Sequence, residues 1–291
     1  MEFLNKKQKE NLREFNFKLH NTKFYGQMFE PAKVEAILLV VHGMGEHIGR
    51  YGTHFAKAFN NKNIAVVGFD QFGHGKTEGK RGHTPGYDAN LDSIDKMLEE
   101  IKDYYGDKIP VFLYGHSMGG NLVANYVLRR QSNIKGALIS SPMLRLAFDP
   151  PAWKMKVGGW LRNIYPTFTE SSGLDLEAIS RDKAARDKYA KDPLVHDKVT
   201  INYTLPFFDA GEWAIINAGI LNKKVFIFHG TGDRITDHKA TADYAMAADK
   251  NATLKLYEGG YHELHNDLCK EEVLKDMTDW IETFLYDSFM L

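Results

Sequence analysis

The chain has 291 residues, of which 43% are hydrophobic and 26% charged, a balance that suits a globular protein with a large core. Its 37 basic side chains nearly cancel 38 acidic ones, which removes the electrostatic reason to expect a nucleic-acid partner. A single cysteine, Cys269, excludes an intramolecular disulfide and suits a reducing compartment; the charged opening MEFLNKKQKENLREF lacks a signal peptide's apolar core, and no apolar run approaches the ~20 residues of a membrane span, so a cytoplasmic location is expected.

In chain order, FNFKLH and KFYGQMF flank a polar turn at Asn21 and predict an antiparallel hairpin. Apolar, β-branched runs follow at 36–42, 64–70, 110–116, 134–141, 224–230 and 253–259, each short enough for a strand buried on both faces. Amphipathic stretches near 50–61, 90–105, 118–131, 237–248 and 271–286 predict the intervening helices. Together these segments predict an α/β protein with a mostly parallel eight-stranded sheet flanked by helices.

One interval breaks the alternation. About 80 residues separate ALISSP from KVFIFHG, far more than a crossover helix needs. The stretch is mostly helical in pattern and punctuated by Pro150, Pro151, Pro166, Pro193 and Pro206. Residues 144–210 are therefore expected to form a helical cap, with 1–143 and 211–291 making the core.

The strand VFLY, the turn GHSMG and the helical NLVANYVLRR succeed one another as a G-x-S-x-G nucleophile elbow requires. Such a turn strains the backbone of Ser117 and brings the residues two positions away against the strand and helix, where glycine fits. A serine hydroxyl needs a base and an orienting acid to become a nucleophile at neutral pH, in the chain order Ser, acid, His. After KVFIFHG the loop TGDRITDH offers Asp233 and Asp237. Asp233 sits in the loop proper, whereas Asp237 begins the next helix and reads as its cap, so Asp233 is preferred and Asp237 is the alternative. The segment TLKLYEGGYHELHN supplies His262 and His265, and His262, first after Gly259 and Gly260, takes the base role.

Acyl transfer also needs donors for an oxyanion, each contributing about 2.7–4 kcal/mol in this chemistry. The amide of Met118, next to the nucleophile, is one candidate; the amide of Met44, in the loop HGMGEH, is the other. DQFGHGKTEG lacks P-loop spacing and reads as a turn held by Asp70 and His74, and no zinc motif is present. Neither a metal nor a cofactor is expected.

The segments HGMGEHIGRY, FDQFGHGKTEG, GHSMGGNL, SRDKAARDKYAKDPL, GTGDRITD and YEGGYHELHN together resemble the monoacylglycerol lipase and lysophospholipase family of α/β-hydrolases, in order from about residue 36 to 285. The resemblance implies the α/β-hydrolase fold with its cap roofing an acyl tunnel, and cleavage of a monoacylglycerol to fatty acid and glycerol. It places Ser117, Asp233 and His262 on the triad, the amides of Met44 and Met118 in the oxyanion hole, and Glu46, Arg50, His116, Tyr189 and His265 around the glycerol head, although Glu46 and Arg50 could instead pair to fix their loop. Met44 replaces an alanine of animal relatives, which keeps the amide and is expected to narrow the cavity.

The expected partner is thus a small lipid ester. The cap segment AWKMKVGGWLRNIYPTF mixes apolar and basic residues as a transient membrane contact would, though a tunnel lining would need the same apolar groups. A lysophospholipase or broad carboxylesterase, an acyltransferase and a catalytically silent binding scaffold are the alternatives.

Overall fold

The structure is a computed structural model that describes residues 1–4, 11–149, 160 and 164–286. Strands β2 (Leu12–Leu19) and β3 (Thr22–Phe29) form the expected hairpin. Its two turn residues, His20 and Asn21, both have positive φ, the conformation of a tight hairpin turn. A short β1 (Glu2–Phe3) pairs with β2 at Asn16 and Phe15, so among the described residues the sheet has nine strands where eight were expected. Two residues carry no periodic signal, which is why the ninth escaped the sequence reading.

The remaining strands of the main sheet are β4 (Ala36–Val41), β5 (Ile64–Phe69), β6 (Val111–His116), β7 (Gly136–Ser140), β10 (Lys224–Gly230) and β11 (Ala252–Tyr257). Their order is β1-β2-β3-β5-β4-β6-β7-β10-β11, antiparallel from β1 to β5 and parallel from β5 to β11.

Successive side chains of a strand point to opposite faces, and β4 divides accordingly. Ile37, Leu39 and Val41 enter the core built with α2 (Tyr87–Tyr105), α3 (Met118–Arg129) and α6 (His238–Ala248). Ala36, Leu38 and Val40 enter a second core with α1 (His54–Asn60) and α7 (Lys270–Tyr286). Both faces of the sheet are covered, so its parallel strands read as unbroken apolar runs instead of alternating ones.

Between β7 and β10 lie two short antiparallel strands, β8 (Thr169–Ser171) and β9 (Lys198–Thr200), with α4 (Lys183–Lys191) and α5 (Ile201–Asn217). The boundary expected at 210 falls inside α5, which also contains Pro206. Most of the amphipathic segment AWKMKVGGWLRNIYPTF lies outside the described residues.

Candidate active site

Parallel strands place the loops at their carboxyl ends on one edge of the sheet, where α/β proteins build their sites. Ser117 lies between β6 and α3, with φ 55° and ψ −116°, a strained conformation for a residue with a side chain. The turn closes because its neighbours have no Cβ. One on Gly115 would lie 2.3 Å from Gly119 O, and one on Gly119 would lie 2.0 Å from Val41 O. The Ser117 N–H donates to Ser140 O at 3.0 Å, and its carbonyl accepts from Asn121 and Met143. Ser117 retains 8% exposure.

Asp233 follows β10 and is buried. Its Oδ1 accepts from the amides of Ile235 (2.7 Å) and Thr236 (3.1 Å). Its Oδ2 accepts from His262 Nδ1 at 2.7 Å, His229 Nε2 at 2.9 Å and Thr236 Oγ1 at 2.9 Å. Burial alone would raise this carboxyl's pKa; the adjacent His262 and His229 and their hydrogen bonds hold it well below the usual carboxylate range. The other candidate, Asp237, caps α6 by accepting from the Lys239 amide at 2.9 Å.

His262 lies on the loop after β11. Burial would lower its pKa, but Asp233 outweighs this and raises it above the ordinary histidine value. Because an ionised carboxylate can only accept, Nδ1 carries the proton and Nε2 is left bare. The His262 ring lies 4.8 Å from the ring of His116, the residue before Ser117, which brings the imidazole to the serine turn.

The loop after β4 lies over the same turn: a Cβ on Gly43 would meet Ser117 Cβ at 3.2 Å. Glu46 Oε1 accepts from the Gly43 amide at 2.6 Å, and Gly45 O accepts from the His196 amide at 2.9 Å. These bonds fix the loop on either side of Met44. Among the described residues, no acceptor is recorded for the amides of Met44 or Met118, and the latter opens α3, where helix geometry provides none. The Met44 sulfur turns away to His74 Nε2, 3.3 Å off.

Of the residues expected around a head group, three are committed to one another or to the core. The Arg50 side chain is 9% exposed, bonding Glu46 Oε2 at 2.7 Å and gripping both oxygens of Glu263 at 2.6 and 2.7 Å. Burial raises Glu46, whereas Arg50 overcomes burial and brings Glu263 down to about 2. His265 stacks on Tyr51 and meets Tyr114 Oη at 3.2 Å, and burial pushes its pKa down to about 3. His116 differs: it is buried and kept neutral by burial, yet its Nδ1 has no partner. Tyr189 places its ring beneath Arg50 and its hydroxyl near Gly45.

His229, Thr236 and Glu263 escaped the sequence reading. The first had a signal, a histidine four residues before Asp233 at a strand end; the pairing of Glu263 with Arg50 spans 213 positions and had none. No group of three or more His, Cys, Asp or Glu side chains among the described residues is placed to hold a metal ion.

Residues 32–269 match the family described as serine aminopeptidase, S33 (Hydrolase_4). The chain belongs to this α/β-hydrolase family. A crystal structure of a Paleococcus ferrophilus monoacylglycerol lipase shares 33% identity with it and a TM-score of 0.81, covering 88% of this chain and 97% of that one. The monoglyceride lipase of Rattus norvegicus is 30% identical over 85% of this chain and 82% of its own length. An uncharacterized abhydrolase domain-containing protein of Dictyostelium discoideum is 33% identical over 85% of this chain, which spans 26% of that longer protein. These α/β-hydrolase relatives bear out the resemblance read from the motifs.

Proposed function

We propose that the chain hydrolyses monoacylglycerols to fatty acid and glycerol through an acyl-enzyme. The observation that carries this reading is the 2.7 Å bond that His262 donates to Asp233 from a loop packed against the strained Ser117 turn. His262 Nε2 takes the Ser117 proton as Oγ attacks the ester carbonyl, and the amides of Met44 and Met118 receive the oxyanion. The tetrahedral intermediate collapses with His262 returning the proton to the glycerol oxygen. Water, deprotonated by the same nitrogen, then attacks the acyl carbon; the C–Oγ bond breaks, His262 returns the proton to Ser117 Oγ, and the acid leaves. Asp233 fixes the imidazole tautomer and stabilises its cation.

The ester class is drawn from the likeness to the monoglyceride and monoacylglycerol lipases of Rattus norvegicus and Paleococcus ferrophilus. In the head-group region the unpartnered Nδ1 of His116 and the Tyr189 hydroxyl are the groups left to meet a glycerol, while Glu46, Arg50 and His265 support their loops. Residues 144–210 act as the cap. The exposed Trp160, Ile164 and Tyr165 support a transient contact of that cap with lipid surfaces, and the lone Cys269 supports a reducing, cytoplasmic setting.

Rates on monoolein, lysophosphatidylcholine and p-nitrophenyl esters test the assignment. Monoolein is expected to lead, and Ser117→Ala to abolish both turnover and fluorophosphonate labelling; a faster lysophosphatidylcholine rate would replace the substrate assignment. Pelleting with phosphatidylcholine vesicles is expected to fall in Trp160→Asp/Ile164→Asp, and unchanged pelleting would discard the surface contact.

A further inference from the structure

Asp233 has about four lone-pair sites, and four N–H groups and one hydroxyl converge on them. The amides of Ile235 and Thr236 take Oδ1; the imidazoles of His262 and His229 take Oδ2. The Thr236 hydroxyl joins them at Oδ2, 2.9 Å away, and lies 3.2 Å from Ser141 O, from His229 Nε2 and from His262 Nδ1. One carboxylate oxygen therefore serves two histidines, and the sequence motif assigned a role to only one.

His229 is fully buried near the end of β10. Its Nε2 must carry hydrogen to bond an ionised carboxylate. Burial keeps the ring neutral, so Nδ1 is bare and accepts from the Thr241 hydroxyl on α6 at 2.7 Å. The titratable groups facing it are Asp233, His262 and, from the start of α6, His238, whose ring lies 6.3 Å away. A chain of hydrogen bonds thus runs from Thr241 through His229 and Asp233 to His262.

We propose that His229 is a positioning residue for the hydrolytic reaction: it occupies one lone pair of Asp233 Oδ2, holding that oxygen in line with His262 and drawing off part of its charge. This inference rests on the Ser117, Asp233 and His262 assignment made above. Its physical content is a competition. A second donor on the same oxygen weakens the carboxylate's pull on the His262 proton, so the base stays bare at a lower pH than it would with Asp233 to itself. A histidine that merely fills the core would affect stability and leave the base's titration in place.

The experiment measures kcat, KM, Tm and the acid limb of kcat/KM on monoolein for His229→Leu, His229→Gln, Thr241→Val and Ser117→Ala. For His229→Leu, kcat is expected to fall about ten-fold or more with KM little changed, and the acid limb to move up by about half a pH unit. His229→Gln, whose amide N–H reaches the same oxygen, should recover most of the rate and return the limb. Thr241→Val leaves the ring but removes the hydroxyl that fixes its tautomer, and should give a smaller loss in the same direction. A folded His229→Leu enzyme with unchanged kcat, a limb that stays or moves down, or equal losses in the Leu and Gln variants would overturn the proposal. Should His229→Leu fail to fold, wild-type kcat and limb in Thr241→Val would overturn it instead. Persistent hydrolysis by Ser117→Ala would remove the underlying assignment; its loss beside a wild-type-like His229→Leu would remove this inference alone.

Discussion

The guanidinium carbon of Arg50 lies 4.6 Å from the centre of the Tyr189 ring, so α4 rests on the same cation that pairs with Glu46 and Glu263. One largely buried charge thereby joins the loop after β4, the helix above it and the loop carrying His262. Arg50→Met would leave two carboxylates buried without a cation, at a cost of about 3–5 kcal/mol. Activity should fall as well, because Glu263 adjoins His262. Removing one of the stranded charges as well, in Arg50→Met/Glu263→Gln, should restore part of the stability. Urea unfolding of the two variants checks the order, and equal stabilities would contradict it.

The pH dependence follows from the raised pKa of His262 and the lowered pKa of Asp233. In the proposed reaction His262 acts unprotonated, so kcat/KM should rise with pH through a value above histidine's ordinary 6.5. Stability runs the other way for this residue. Its raised folded pKa contributes stability fully below the unfolded pKa, and that contribution is lost as pH rises through the folded value. Asp233, lowered in the fold, contributes stability above its unfolded pKa and loses it as pH falls through the folded one. In Asp233→Asn the acid limb should drop and kcat should decrease by about 10³–10⁴-fold. A rate profile from acid to neutral pH tests this, and an unmoved limb would uncouple Asp233 from the base.

The parts of this site legible in the sequence are those governed by neighbours along the chain. The elbow was readable because Gly115 and Gly119 abut backbone oxygens at distances a Cβ would violate. The strands were readable because β4 to β7 are buried on both faces and carry unbroken apolar runs. Contacts between distant segments left no such trace. The sequence reading places Arg50 near the head group or against Glu46, but its grip on Glu263 emerges only once the fold joins them, and three-residue β8 and β9 are too short for a period. His229 is intermediate. Its spacing from Asp233 was visible, but not the turn that sends its ring back onto the carboxylate.

The two aspartates of TGDRITDH separate the structural role from the chemical one. Asp237 accepts from the Lys239 amide and has a backbone conformation outside the helix, as an N-cap does. Asp237→Ala should therefore cost about 1 kcal/mol, seen as a lower melting temperature, while kcat at a temperature where the protein stays folded remains that of the parent. Asp233→Ala removes the acceptor shared by His262 and His229 and should abolish turnover of monoolein. Loss of turnover in the Asp237 variant with retention in the Asp233 variant would transfer the acid role to Asp237. It would then require the α6 cap to open during the reaction, because in this structure its carboxylate is engaged at the helix start and not at the imidazole.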